Sequence, residues 1–316
     1  MNALRLAFGA ASSGGDFDWE EADCPLCGGD RWSPILEAPD HGGSGLRFLV
    51  VRCQDCGLAF TNPRPSPASI GRFYDDDYKP HHKKVEADSG PAPWWRRFLP
   101  FRASPRKVLP LEGQGRLLDF GCGGGSFLIR MRRLGWNVTG LDFSSAVVDR
   151  LRATHGLTVH QGSLPHADLP DESFDVITMW ESLEHVHQPL DVLRAAQRLL
   201  AKGGKILVSL HNIESVAFRW FGPAWFPLDL PRHLTHFSPS TLRLALHEAG
   251  FQPGRVRMLR SSSWLRKSAD IAKAYPTLSG AWMRMLRSRL GSNLASWYCY
   301  LTRAADSMLV IGQKAA

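Results

Sequence analysis

Nowhere in the 316 residues does an apolar run reach about eighteen residues, the length a spanning helix needs. No internal repeat is visible, so a solenoid or propeller is excluded. Acidic residues are nearly missing from one region: between Arg255 and Arg303 there are ten Lys/Arg and one acid, Asp270. That stretch carries more excess charge than the whole chain, whose net charge is +8. It points to an anionic partner, whether phosphate, nucleic acid or membrane surface; the bland alternative is a solvated helix face. "MNALRLAFGAASSGG" has one arginine and a short apolar patch, but an acidic stretch and a cysteine cluster follow directly. No export signal is expected, and the chain is placed in the cytoplasm, with peripheral contact to the inner membrane face left open.

What is present is the composition of a globular protein, long enough for one large domain plus a small one. Residues 1–20 read as a disordered N-terminus, 21–78 as a cysteine-bearing module and 79–113 as a Pro-rich linker. From 115 onward short apolar runs alternate with helical periodicity, the mark of βα units on a mainly parallel sheet. Strands are expected near 116–120, 137–142, 157–161, 174–179, 204–210 and 307–314. Helices are expected near 126–134, 144–154, 189–201 and 240–249. A basic segment, 262–305, interrupts this pattern and reads as two helices broken near Pro276 and Gly280.

The stretch "LLDFGCGGGSF" puts glycines between a strand and a helix N-terminus, a place where backbone N–H groups meet a nucleotide-like ligand. A dinucleotide fingerprint needs glycine at 126, which is Ser126, and Asp119 would repel a pyrophosphate. S-adenosylmethionine reverses the second objection, because its methionyl end carries an ammonium beside a sulfonium. The spacing D-x-G-x-G-x-G is met by Asp119, Gly121, Gly123 and Gly125. Asp142, ending "VTGLDFS", can accept both ribose hydroxyls. Gly162, Ser163 and Leu164 close the third strand against the expected adenine, and Trp180 leaves the fourth on the ligand side. Cys122, inside the loop, reads as a small residue that fits.

In order, "LLDFGCGGGSF", "VTGLDFS", "LPDESFDVITMWESLEHV" and "GGKILVSL" resemble the class I S-adenosylmethionine-dependent methyltransferases. That resemblance implies an α/β fold, a Rossmann-like sheet of seven strands, six parallel and the last antiparallel. It places the catalytic domain at 114–261 and 306–316. It implies that Asp119, Gly121 and Gly123 serve the methionyl part, Asp142 the ribose, and Ser163 and Leu164 the adenine.

"CPLCGG" and "CQDCGL" are two C-x-x-C knuckles that can present Cys24, Cys27, Cys53 and Cys56 to one Zn²⁺. Four thiolates leave no open position, so such a zinc is structural; disulfides, the alternative, need an oxidising compartment. Cys299 reads as a packed thiol. "CQDCGLAFTNPRPSPASIGRFYDDDY" resembles the front of a bacterial group that pairs a zinc module with this catalytic domain and includes nucleotide-sugar C-methyltransferases.

Acceptor chemistry is expected in "HNIESVAFRWFGPAWFPLDLPRHLTHFS", rich in aromatics and histidines. His233, His236 and His211 are the candidate bases, since histidine titrates near working pH. Relative to the sugar enzymes, Arg232 stands where they have Glu and Leu230 where they have Tyr; such an arginine could clamp an acceptor phosphate or carboxylate. Glu184 and His185 read mostly as pocket-shaping, and Tyr78 as a lid. The expected function is methyl transfer to a small or lipid-linked acceptor, a saccharide or phosphorylated metabolite. RNA methylation and a non-catalytic cofactor-binding scaffold are the alternatives; the cysteine module is not notably basic, which counts against nucleic acid. The aromatics and arginines of 262–305 suit peripheral membrane contact or packing on the domain.

Overall fold

A computed structural model describes residues 17–74, 115–278 and 280–315. The expected linker and Tyr78 lie outside the described residues, as do residues 1–16 of the expected disordered N-terminus.

The front module holds β1 (Trp19–Glu20), β2 (Trp32–Pro39), β3 (Arg47–Cys53), β4 (Ala59–Thr61) and β5 (Arg64–Pro65). The last residues of the stretch expected to be disordered are tied down. Trp19 and Glu20 pair with β5, Glu20 binds the buried Arg64 at 2.6 Å, and Phe17 stacks on Phe73. A charge as buried as Arg64 needs a carboxylate, and Glu20 supplies it.

The main body follows as β6 (Arg116–Phe120), α1 (Ser126–Arg133), β7 (Asn137–Asp142), α2 (Ser145–His155), β8 (Thr158–Gln161), β9 (Phe174–Trp180), α3 (Pro189–Leu199) and β10 (Leu200–His211). Next come α4 (Val216–Phe221), β11 (Thr235–His236), α5 (Pro239–Glu248), β12 (Phe251–Pro253) and β13 (Arg257–Leu259). The chain ends with α6 (Ser262–Ile271), α7 (Ala281–Arg287), α8 (Arg289–Leu301) and β14 (Ser307–Lys314). The sheet order is β12-β14-β10-β9-β6-β7-β8. β14 is antiparallel to both neighbours and the other ladders are parallel, the six-plus-one arrangement expected. β12 and β13 pair with different ends of β14, so the sixth strand is interrupted at 254–256.

Side chains alternate across the strands, so the sheet is apolar on both faces. Leu117, Val138 and Leu207 meet α1 and α2 on one face. Leu118, Ile177 and Val208 meet α3, α5 and the cysteine module on the other. The basic segment holds three helices rather than two. The break before Gly280 is as expected. A second falls at Ser288, whose extended backbone and side chain cap α8 through the Gly291 N–H at 3.0 Å.

β11 does not join the main sheet. It extends the module's sheet in the order β11-β4-β3-β2, so the loop after β10 is hung on the cysteine module. Arg232 fixes this junction from inside. Its guanidinium donates to Asp229 at 2.9 Å, to Asp40 at 2.9 Å and to the Phe73 carbonyl at 3.1 Å. The arginine read as a candidate phosphate clamp is therefore engaged by the protein itself. Its replacement by alanine would strand two carboxylates. Arg232→Ala should cost about 3–5 kcal/mol of unfolding free energy. Urea titration reads this directly, and a loss below about 1 kcal/mol would show that the junction does not depend on the ion pair.

Candidate active site

At the end of β6 the chain turns through Gly121, Gly123 and Gly125, all with positive φ (71°, 51° and 72°). At Gly121 the need is also spatial: a Cβ there would lie 2.5 Å from Ser182 Cβ. The glycine loop thus rests directly on the turn that carries Glu184. Asp119 is buried and accepts from Thr178 Oγ1 at 2.7 Å. Asp142 accepts from the N–H of Gly123 at 2.7 Å and of Ser144 at 3.0 Å, which leaves further lone pairs on the carboxylate. Gly162 N–H donates to the Asp142 carbonyl at 2.9 Å, which brings Ser163 and Leu164 to the same end of the sheet. Trp180 is buried under α1, edge-on to Phe127 at 5.3 Å.

Beside this loop lies a narrow, largely filled recess whose walls include Glu184, His211, Trp225, His233, His236 and Phe237. Glu184 comes from the turn after β9, His211 from the end of β10, and His233 and His236 from the hung loop. Glu184 Oε1 accepts from His211 Nδ1 at 3.0 Å. His233 stands 5.0 Å from His211 and 4.6 Å from His185 between ring centroids. His233 Nδ1 donates to the Pro227 carbonyl at 2.8 Å. His236 Nε2 meets Thr61 Oγ1 at 3.1 Å, and that hydroxyl donates to the His233 carbonyl at 2.9 Å. Trp264 of α6 packs against His211, with ring centroids 4.6 Å apart.

Burial works against the Glu184 carboxylate. The His211 hydrogen bond and the charges of His211, His233 and His185 outweigh it and bring its pKa down to about 2. His211 is raised: burial alone would lower it, and the Glu184 bond and charge reverse that. His233 and His236 are pushed down to about 3, chiefly by burial.

Residues 94–254 match the family described as methyltransferase domain. The chain is 37% identical over 186 residues to a ubiquinone biosynthesis O-methyltransferase of Cereibacter sphaeroides, covering 54% of this chain and 75% of that one. It is 32% identical to the Pseudomonas aeruginosa protein of the same name, covering 50% of this chain and 78% of that one. The chain belongs to the S-adenosylmethionine-dependent methyltransferases. The fold is also similar to a solved methyltransferase of Mesorhizobium loti, with a TM-score of 0.45, 22% identity and coverage of 66% of this chain and 95% of that one.

The methyltransferase has residues that suit this cofactor. Ser182 Oγ and Trp180 Nε1, both buried at the loop's edge, have no hydrogen-bond partner among the described residues. Buried polar atoms in this state are free to bond a polar ligand. The Gly121 turn gives such a ligand access to the backbone.

The enzyme's four front cysteines form a second centre. Cys24 Sγ lies 3.4 Å from Cys56 Sγ, and Cys27 Sγ 3.6 Å from Cys53 Sγ. All four sulfurs lie within 4.8 Å of one another and none is in a disulfide. Gly28 and Gly57 turn each knuckle back at positive φ (72° and 79°). Tetrahedral Zn²⁺ with Zn–S near 2.3 Å sets sulfurs about 3.8 Å apart, so the donor set fits that ion.

Glu184, expected mainly to shape the pocket, is instead buried and hydrogen-bonded to a histidine. Its partner, His211, lies 27 residues on. The sequence signal was that His211 ends one strand and Glu184 lies just past the end of its parallel neighbour.

The two buried neutral histidines make the enzyme acid-sensitive. Their folded pKa values lie below the unfolded value of about 6.5, so the unfolded chain takes up protons first. Stability is full above about pH 6.5 and is lost as pH falls through that value toward 3. At pH 5 the loss should be roughly 2 kcal/mol for each of His233 and His236. Glu184 adds to this only below about pH 4.3. His236→Gln should make the drop between pH 7 and pH 5 smaller by roughly 2 kcal/mol, measured by urea unfolding at a series of pH values. An unchanged slope would mean that His236 is not held neutral.

Proposed function

We propose that the enzyme methylates a hydroxyl group on a small acceptor with an apolar or lipid-linked body. The observation that carries this is the Glu184–His211 pair facing a recess walled by Trp225 and Phe237, beside the glycine loop. When bound, S-adenosylmethionine supplies an electrophilic methyl group. The chain must then hold the acceptor oxygen and remove its proton. Glu184 fixes the His211 tautomer with the proton on Nδ1, leaving Nε2 to take the acceptor proton. The carboxylate also stabilises the imidazolium formed, as its raised pKa reflects. His233 and His236, with pKa values near 3, are weaker bases and are better suited to shaping the wall. Asp119 and the Gly121–Gly123 backbone would hold the methionyl end, Asp142 the ribose, and Ser163 and Leu164 the adenine.

Relatives named for O-methylation in ubiquinone biosynthesis support an oxygen acceptor with an apolar body. A saccharide hydroxyl on a lipid carrier fits the same chemistry. A phosphorylated metabolite loses support, because the candidate clamp Arg232 is bound to Asp40 and Asp229.

The test is incubation with labelled cofactor and polyprenylated phenols, glycolipids, nucleotide sugars or extracted RNA, with the product bond identified by mass spectrometry. A methyl ether on a phenol or glycolipid is expected; a methylated base or a new C–methyl bond would overturn the proposal. His211→Gln should lower turnover on that acceptor by about 10²–10⁴-fold while cofactor affinity by calorimetry stays near wild type. If turnover survives, the base lies elsewhere.

We also infer one structural zinc per chain on Cys24, Cys27, Cys53 and Cys56. Metal-replete protein should contain one equivalent by elemental analysis, and Cys53→Ser should lose it while still binding cofactor. Protein free of zinc after such expression would refute the assignment.

A further inference from the structure

α8 is built inside out. Its inward face is small and polar: Gly291, Ser292, Ala295, Ser296 and Cys299 are buried. A Cβ at Gly291 would lie 2.3 Å from the Met285 carbonyl oxygen, so this face approaches its neighbours closely. Arg266 donates to Ser292 Oγ at 3.0 Å and Arg260 to Ser296 Oγ at 2.9 Å, so arginines reach inward. The large apolar residues point out. Leu290 is 72% exposed, Leu294 60%, Tyr298 56% and Leu301 73%. Their spacing of four, four and three residues puts them on one helical face. Isolated exposed leucines need no explanation, but a continuous stripe of this kind marks an interaction surface.

The charge around the stripe says what covers it. Arg289 precedes Leu290 and Arg303 follows Leu301, while Arg284 and Arg287 stand on α7 next to the cap at Ser288. No carboxylate is paired with any of the four among the described residues, and Asp270 is taken by Lys273 at 2.8 Å. A second copy seated on the stripe would bring two arginine clusters together with no acid between them. An anionic lipid surface accepts both features at once: apolar side chains enter the acyl boundary and arginines meet the head groups.

We propose that the outward face of α8, with Arg284, Arg287, Arg289 and Arg303, docks the enzyme on an anionic membrane surface. The helix lies in the plane of the interface with Leu290, Leu294 and Leu301 inserted. The same three-helix segment carries Trp264 onto His211 at 4.6 Å, so the docked segment touches one wall residue of the recess. A membrane-borne acceptor would reach the base through this segment. That last link rests on the acceptor reading above; the docking does not.

The experiment is co-sedimentation of the full chain with vesicles of phosphatidylcholine alone and with rising phosphatidylglycerol. Binding should increase with the anionic fraction and fall with salt. Arg284→Gln, Arg287→Gln and Arg289→Gln together should weaken it tenfold or more, since each basic residue near such a surface is worth about fivefold. Leu290→Ser, Leu294→Ser and Leu301→Ser together should abolish retention, with circular dichroism and cofactor affinity unchanged. Vesicle binding is read without any acceptor, so a wrong acceptor leaves this result intact, and failed docking leaves methyl transfer to a soluble hydroxyl intact. Negligible binding, or equal binding to neutral and anionic vesicles, overturns the proposal. So does a dimer in sedimentation velocity that the leucine variants dissolve, because the stripe then belongs to a second copy.

Discussion

A ladder of two residue pairs holds the acceptor half of this enzyme in place. Thr235 and His236 pair with Phe60 and Ala59, which makes the loop after β10 the fourth strand of the cysteine module's sheet. Thr61 continues the contact by donating to the His233 carbonyl and meeting His236. A two-residue ladder is too weak to order a long loop alone. The Arg232 ion pairs reinforce it, with a buried guanidinium between a module carboxylate and a loop carboxylate. Whatever fixes the four cysteines therefore also fixes the wall facing His211. The cysteine module supports the recess although it contributes no residue to its lining.

The same low-dielectric interior treats its ionisable groups differently. Burial opposes charge on Glu184, His211, His233 and His236 alike. Glu184 stays ionised because an imidazole donates to it at 3.0 Å, and His211 gains proton affinity from the same bond. His233 spends its Nδ1 proton on a carbonyl and His236 meets a hydroxyl; burial outweighs the Asp229 carboxylate 3.9 Å from His233 Nε2 and keeps both neutral. One hydrogen bond thus separates a histidine of raised proton affinity from two neutral wall residues. Sequence alone could not make that distinction, since all three histidines lie within the same 26-residue stretch.

What could be read in advance followed from local physics. The strands near 116–120, 137–142 and 307–314 and the helix near 126–134 are where periodicity placed them, because each buries its apolar set against adjacent elements of one sheet. The Asp119 loop was legible for the same reason: its glycines are needed by the turn itself. The rest depends on distant partners. Asp40 and Arg232 are 192 positions apart, so an arginine free in sequence to clamp a phosphate is committed in the fold to a module loop. β11 is a pair of residues with no period to detect. In α8 the apolar spacing was present, but periodicity does not say which face turns inward, and here the small face does.

Cofactor and acceptor sites consequently have different architectures. The groups expected around the cofactor come from successive strand ends, β6, β7, β8 and β9, and need only the sheet to meet. The recess proposed for the acceptor needs the turn after β9, the end of β10 and the loop hung on the cysteine module, with Trp264 of α6 packed against His211. Changes in the module or the insertion can reshape the recess without touching Asp119 or Asp142. Ser182 is where the two halves touch, since its Cβ occupies the space that a Gly121 side chain would need. The turn it begins carries Glu184, so the glycine loop and the partner of His211 are held in register by direct contact rather than through distant parts of the chain.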